Sequence, residues 1–98
     1  MKRCVLLAAL LANPAGAGPV FIDRSAGLPV EHIYGGGWEH FVGGGAAAFD
    51  CNGDAKPDLF AAGGENPARL FVNRTDGPGS PIRFDPGALP GLTHVTGA

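Results

Sequence analysis

Ala46-Ala47-Ala48-Phe49-Asp50-Cys51-Asn52-Gly53-Asp54-Ala55-Lys56-Pro57-Asp58-Leu59-Phe60-Ala61-Ala62 is the stretch on which the reading of this chain turns. Asp50, Asn52, Asp54 and Asp58 set oxygen-bearing side chains at positions 1, 3, 5 and 9 of a nine-residue loop. Ca²⁺ takes about six to eight oxygens at about 2.3–2.6 Å, and a tight loop directs alternate side chains at one point only with such a spacing. An EF-hand or dockerin loop opens in the same way. It needs an acid at position 12, where Ala61 stands, and helices beside it. A plain solvated turn is the remaining alternative, because Asp, Asn and Gly are the ordinary material of turns.

Outward from the loop, the chain reads as short β-segments punctuated by turn formers, with 17 Gly and 9 Pro in 98 residues and no helical period. Ala46–Phe49 runs into the loop and Pro57–Ala62 runs out of it. Gly63–Pro67 is a turn, and Ala68–Asn73 is the clearest strand. Thr75–Gly79 is its exit turn, and Ile82–Phe84 is its expected hairpin partner. Trp38–Val42, bracketed by two triple-glycine runs, reads as a further short strand.

The amino terminus reads as an export signal over residues 1–17: a basic Met1-Lys2-Arg3, an apolar run from Cys4 to Ala12 too short to span a bilayer, and a small-residue cleavage site at Ala15-Gly16-Ala17. Removing it takes away Lys2 and Arg3, which moves the formal charge from −2 to −4 and leaves five basic groups against nine acidic ones. No clustered Lys/Arg stripe remains for phosphate, so nucleic acid is excluded as a partner, and no apolar run long enough to span a membrane is left. Cleavage also leaves Cys51 as the single cysteine. No internal disulfide can then staple a chain this small, and a metal becomes the natural staple. Cys51 itself, at loop position 2, is expected to point away from an ion and towards packing, with no Cys-His pattern to make it a nucleophile.

Phe21–Pro29 and Phe84–Leu92 both place a Phe and an Asp ahead of a Gly/Leu/Pro cluster, although a single offset does not define a repeat. Taken in order, Phe21-Ile22-Asp23 with Ala26-Gly27-Leu28, the Gly-rich approach from Gly43 to Asp50, the loop, and Leu70-Phe71-Val72-Asn73 with Asp76-Gly77 resemble the FG-GAP or VCBS repeats of integrin α-like β-propellers. The likeness extends to the cartilage acidic protein family. It implies an all-β fold: one blade-like antiparallel unit plus the start of another, spanning residues 18–98 after the signal peptide. Because a propeller needs about four to eight blades, the chain is expected to be partial or to need further blades or self-assembly.

The resemblance further implies that the loop at 50–58 holds Ca²⁺ between two strands of a blade, with side-chain oxygens from Asp50, Asn52, Asp54 and Asp58 and the backbone carbonyl of Lys56. Three carboxylates suit a hard divalent cation over softer metals. One departure weakens the loop: the family's Gly at position 6 is replaced by Ala55, and a Cβ at positive φ costs about 1 kcal/mol. The implied function is a secreted, extracellular or periplasmic, non-catalytic scaffold for adhesion or for a protein or carbohydrate ligand. The alternatives are an accessory region of a secreted hydrolase whose catalytic domain lies elsewhere, or a dockerin-like docking module.

His32, His40 and His94 match no zinc spacing and read as ordinary surface or strand residues. Asn73-Arg74-Thr75 is a glycosylation sequon, although the L-F-x-N pattern accounts for Asn73 without it. Trp38, Phe41 and Phe49 read as packing between blades, with sugar binding as the other use of an exposed aromatic.

Overall fold

A computed structural model describes residues 16 and 18–98 of the chain; the expected export signal, Gly16 aside, lies outside the described residues. Four strands, β1 (Ala46–Phe49), β2 (Asp58–Ala61), β3 (Arg69–Asn73) and β4 (Phe84–Pro86), form one antiparallel sheet in the order β1-β2-β3-β4. Among the described residues there is no α-helix, only two single 3₁₀ turns at Ser25–Gly27 and Trp38–His40. No helix among them is long and apolar enough to cross a membrane.

The register explains which residues are enclosed. Phe49 pairs with Asp58, Ala48 with Leu59, Leu59 with Phe71 and Phe71 with Pro86. Because side chains alternate across a pleated strand, Ala48, Leu59 and Phe71 share one face while Ala47, Phe60 and Leu70 share the other. Phe71, 1% exposed, is the largest buried apolar side chain. Phe84 meets it edge-on at 6.5 Å between ring centroids, and so does His32 at 6.5 Å.

Beyond the sheet, the turn after β2 gathers two other segments. Gly35 N–H donates to Gly63 O at 3.2 Å, Glu65 N–H to Gly35 O at 2.9 Å, Gly64 N–H to Val95 O at 3.0 Å and Ala68 N–H to Leu92 O at 2.7 Å. Asn66 Nδ2 reaches Ile33 O at 2.9 Å, and the His32 ring Nε2 lies 2.7 Å from Ala62 O. Ala62 and Ala68, the other buried apolar residues among those described, flank this turn.

Several sequence expectations are corrected. Trp38–Val42 is not a strand: Phe41 N–H closes a 3₁₀ turn on Trp38 O at 3.1 Å. The hairpin partner of β3 begins at Phe84 and not at Ile82, because Arg74 N–H to Arg83 O ends the pairing on one side and Gly87 N–H to Leu70 O ends it on the other. The echoing segments differ, since Ser25–Gly27 is a turn whereas Phe84–Pro86 is a strand. His40 is not an ordinary surface histidine but is buried at 6% exposure. Trp38, Phe41 and Phe49 all lie exposed on this unit.

Candidate metal centre

The loop between β1 and β2 is wound around Asp50. Asp50 Oδ1 accepts the N–H groups of Gly53 at 2.8 Å, Asp54 at 3.2 Å and Asn52 at 3.3 Å, and Oδ2 accepts that of Ala55 at 2.8 Å. These bonds, led by the one from Ala55, hold the Asp50 carboxyl below its ordinary range against partial desolvation. The turn forces Gly53 to φ 77° and Ala55 to φ 63°. The strain foreseen at loop position 6 is therefore carried by a residue with a Cβ.

At the far end, Asp58 opens β2 and is fully enclosed by its neighbours. Its Oδ1 accepts Asn73 N–H at 2.7 Å; its Oδ2 accepts Cys51 N–H at 2.9 Å and the Cys51 thiol at 3.0 Å. The thiol bond first, then the two backbone bonds, keep its carboxyl low, with Arg74 adding a favourable charge. The same bond pushes the Cys51 thiol up, with desolvation and the Asp58 charge acting in the same direction. Cys51 is thus exposed and tied to the Asp58 carboxylate, where the sequence suggested packing. A raised thiol is a poor nucleophile.

Asp50, Asp54 and Asp58 each bring one carboxylate oxygen within 4.8 Å of the others. Lone pairs remain for a cation: each carboxylate oxygen offers about two acceptor sites, and Asp50 Oδ2, Asp58 Oδ1 and both Asp54 oxygens accept one bond apiece. Asn52 sits beside this cluster, donating from Nδ2 to Asp54 Oδ2 at 3.4 Å and accepting Asp54 N–H on Oδ1 at 3.3 Å. Lys56 joins through its N–H, which donates to Asp54 Oδ1 at 3.0 Å. The sequence spacing did not reveal the role of Asn73. Its N–H caps Asp58, its Nδ2 donates to Pro57 O at 3.0 Å, and its Oδ1 accepts Thr75 N–H at 2.9 Å. The sequon side chain is therefore committed to fixing the loop exit against β3.

A groove of about 560 Å³ runs beside the loop exit, lined in part by Lys56, Pro57, Leu59, Pro78, Ile82 and Phe84. No family model, no curated protein and no solved structure matches the chain. The geometry of the loop therefore carries the functional reading. All-oxygen donors at the mouth of a hairpin are the donor set of a hard cation.

Proposed function

We propose that this chain is a secreted, Ca²⁺-stabilised β-propeller repeat module of the FG-GAP/VCBS kind, serving as a non-catalytic adhesion or ligand-binding scaffold. The convergence of Asp50, Asp54 and Asp58 oxygens within 4.8 Å, in a loop flanked by two paired strands, carries this reading. Asn52 and the Lys56 carbonyl complete the protein ligands in this scheme, and water fills the remaining positions. A four-stranded antiparallel meander is the architecture of a propeller blade. Trp38, Phe41 and Val42, each more than 70% exposed, are the apolar surface that further blades or a second copy would cover. The groove beside the loop is the place for a protein or carbohydrate ligand.

Calcium acts here by linkage. An ion that binds the folded loop and not the unfolded chain stabilises by RT ln(1 + [L]/Kd), about 2.7 kcal/mol at a hundredfold excess over Kd. Calorimetric titration of the wild type and of Asp54→Ala with Ca²⁺ tests the reading. One saturable site that disappears in the variant is expected; equal heats from both proteins would remove the loop from the account.

A further inference from the structure

A second cluster lies away from the loop. Glu39, His40 and Glu65 each bring one ligand atom within 4.8 Å of the others. Unlike the loop, this cluster contains a buried donor without a partner: the His40 side chain is 5% exposed, and its Nδ1 makes no hydrogen bond. A buried polar atom left unpaired costs about 1–3 kcal/mol, so its retention at this position needs a cause. Glu39 Oε1 stands 3.9 Å from Nδ1. Charge-assisted N–H···O bonds close to about 2.7–2.9 Å; the observed gap is too long for one, and it lies within the span of about 4.4 Å open to two atoms that share a cation about 2.0–2.2 Å from each.

The backbone around the cluster leaves room for such an ion. Gly36 adopts φ 147°, and a Cβ there would stand 2.5 Å from His40 Nδ1 and 3.0 Å from Glu65 Cγ. A Cβ on Gly37 would stand 2.6 Å from Glu39 Oε2. The glycine run Gly35-Gly36-Gly37 is what lets the chain pass this close to the three side chains. Glu65 Oε1 accepts Gly37 N–H at 3.2 Å, which orients that carboxylate and leaves its other oxygen free. The rings of Tyr34 and His94, centred 6.2 and 6.0 Å from the His40 ring, stand beside the imidazole.

We propose that His40 Nδ1, Glu39 and Glu65 form a second metal site, for a zinc-class divalent cation. One imidazole nitrogen with two carboxylates is a borderline donor set, distinct from the all-oxygen loop. Three protein ligands leave a fourth position open to water or to a group from a partner. The ion would tie the 3₁₀ turn at Trp38–His40 to the turn after β2, two segments otherwise joined by few bonds.

The test is calorimetric titration of the untagged full chain with ZnCl₂ in excess Ca²⁺, together with ¹⁵N spectra of the histidine rings. One Zn²⁺ site is expected, with a shift of the His40 Nδ1 resonance on loading. Glu39→Gln and Glu65→Gln, both at exposed positions, should each raise Kd about tenfold or more, whereas Cys51→Ser and Asp76→Asn, the latter at an exposed carboxylate outside both clusters, should leave it unchanged. The proposal is overturned by absence of binding, by wild-type affinity in either Gln variant, by loss of the site in Cys51→Ser or Asp76→Asn, or by an unmoved His40 Nδ1 signal.

Discussion

Replacing Ala55 by glycine should stabilise the chain, against the usual expectation for an Ala→Gly change. Ala55 sits at φ 63°, in the left-handed region, where its N–H is held by Asp50 Oδ2 at 2.8 Å. A Cβ in that conformation costs about 1–2 kcal/mol. Glycine removes the cost but gives the unfolded chain more freedom, which offsets about 0.4–1 kcal/mol. The mid-range net gain is about 0.8 kcal/mol, and at about 4–8 °C per kcal/mol for a domain of this size it raises Tm by about 3–6 °C. The hydrogen bond to Asp50 is untouched, because it involves only the backbone. Thermal unfolding followed by circular dichroism, at fixed saturating Ca²⁺, reads the shift. Ala48→Gly in β1 is the control: no positive φ is relieved there, so its Tm should fall. A fall in Tm for Ala55→Gly comparable to the control would refute the claim that the loop stores strain at this residue.

Acid should unfold the chain through the loop. The Asp50 and Asp58 carboxyls are held below their ordinary range by hydrogen bonds, so as pH falls the unfolded chain takes up protons first. The stability they supply is complete above about pH 5 and is lost as pH falls through about 4 and below. Urea midpoints should drop across that window, and Asp58→Asn should flatten the dependence; an unchanged profile in the variant would exclude Asp58 as a source. Cys51, although exposed, should react with iodoacetamide at mildly alkaline pH more slowly than a cysteine in an unstructured peptide, and faster once Asp58 is replaced by Asn. Equal rates in wild type and Asp58→Asn would contradict the thiol–carboxylate bond. Phe71→Ala removes the largest buried apolar side chain, a change that costs about 3–5 kcal/mol. Against a core this small, the cooperative urea transition should be nearly abolished, and retention of a sharp transition near the wild-type midpoint would show that stability resides elsewhere.

The parts of the fold visible in the sequence are those fixed by local chemistry. Phe49-Asp50 and Asp58-Leu59 mark both ends of the loop, and the strands on either side follow from them almost residue for residue. Arg69–Asn73 stands out because consecutive apolar residues are bounded by turn formers. Trp38–Val42 misled because five residues between glycine runs carry too little periodicity to separate a strand from a turn. The turn also meets a segment far away in sequence, through Gly37 N–H and Glu65 Oε1. The burial of His40 was invisible for the same reason. In the loop, the clustering of Asp50, Asp54 and Asp58 was legible from spacing alone, whereas the anchoring by Asn73 depends on the pairing of β2 with β3, which spacing does not encode.

The central claim, that the β1–β2 loop is the Ca²⁺ site, is tested most directly by ¹⁵N–¹H spectra of the labelled chain during addition of Ca²⁺. The account predicts saturable shifts concentrated at residues 50–58 and at Asn73, whose N–H is bonded to Asp58, and their disappearance in Asp54→Ala. Shifts centred elsewhere, or none at saturating metal, would contradict it.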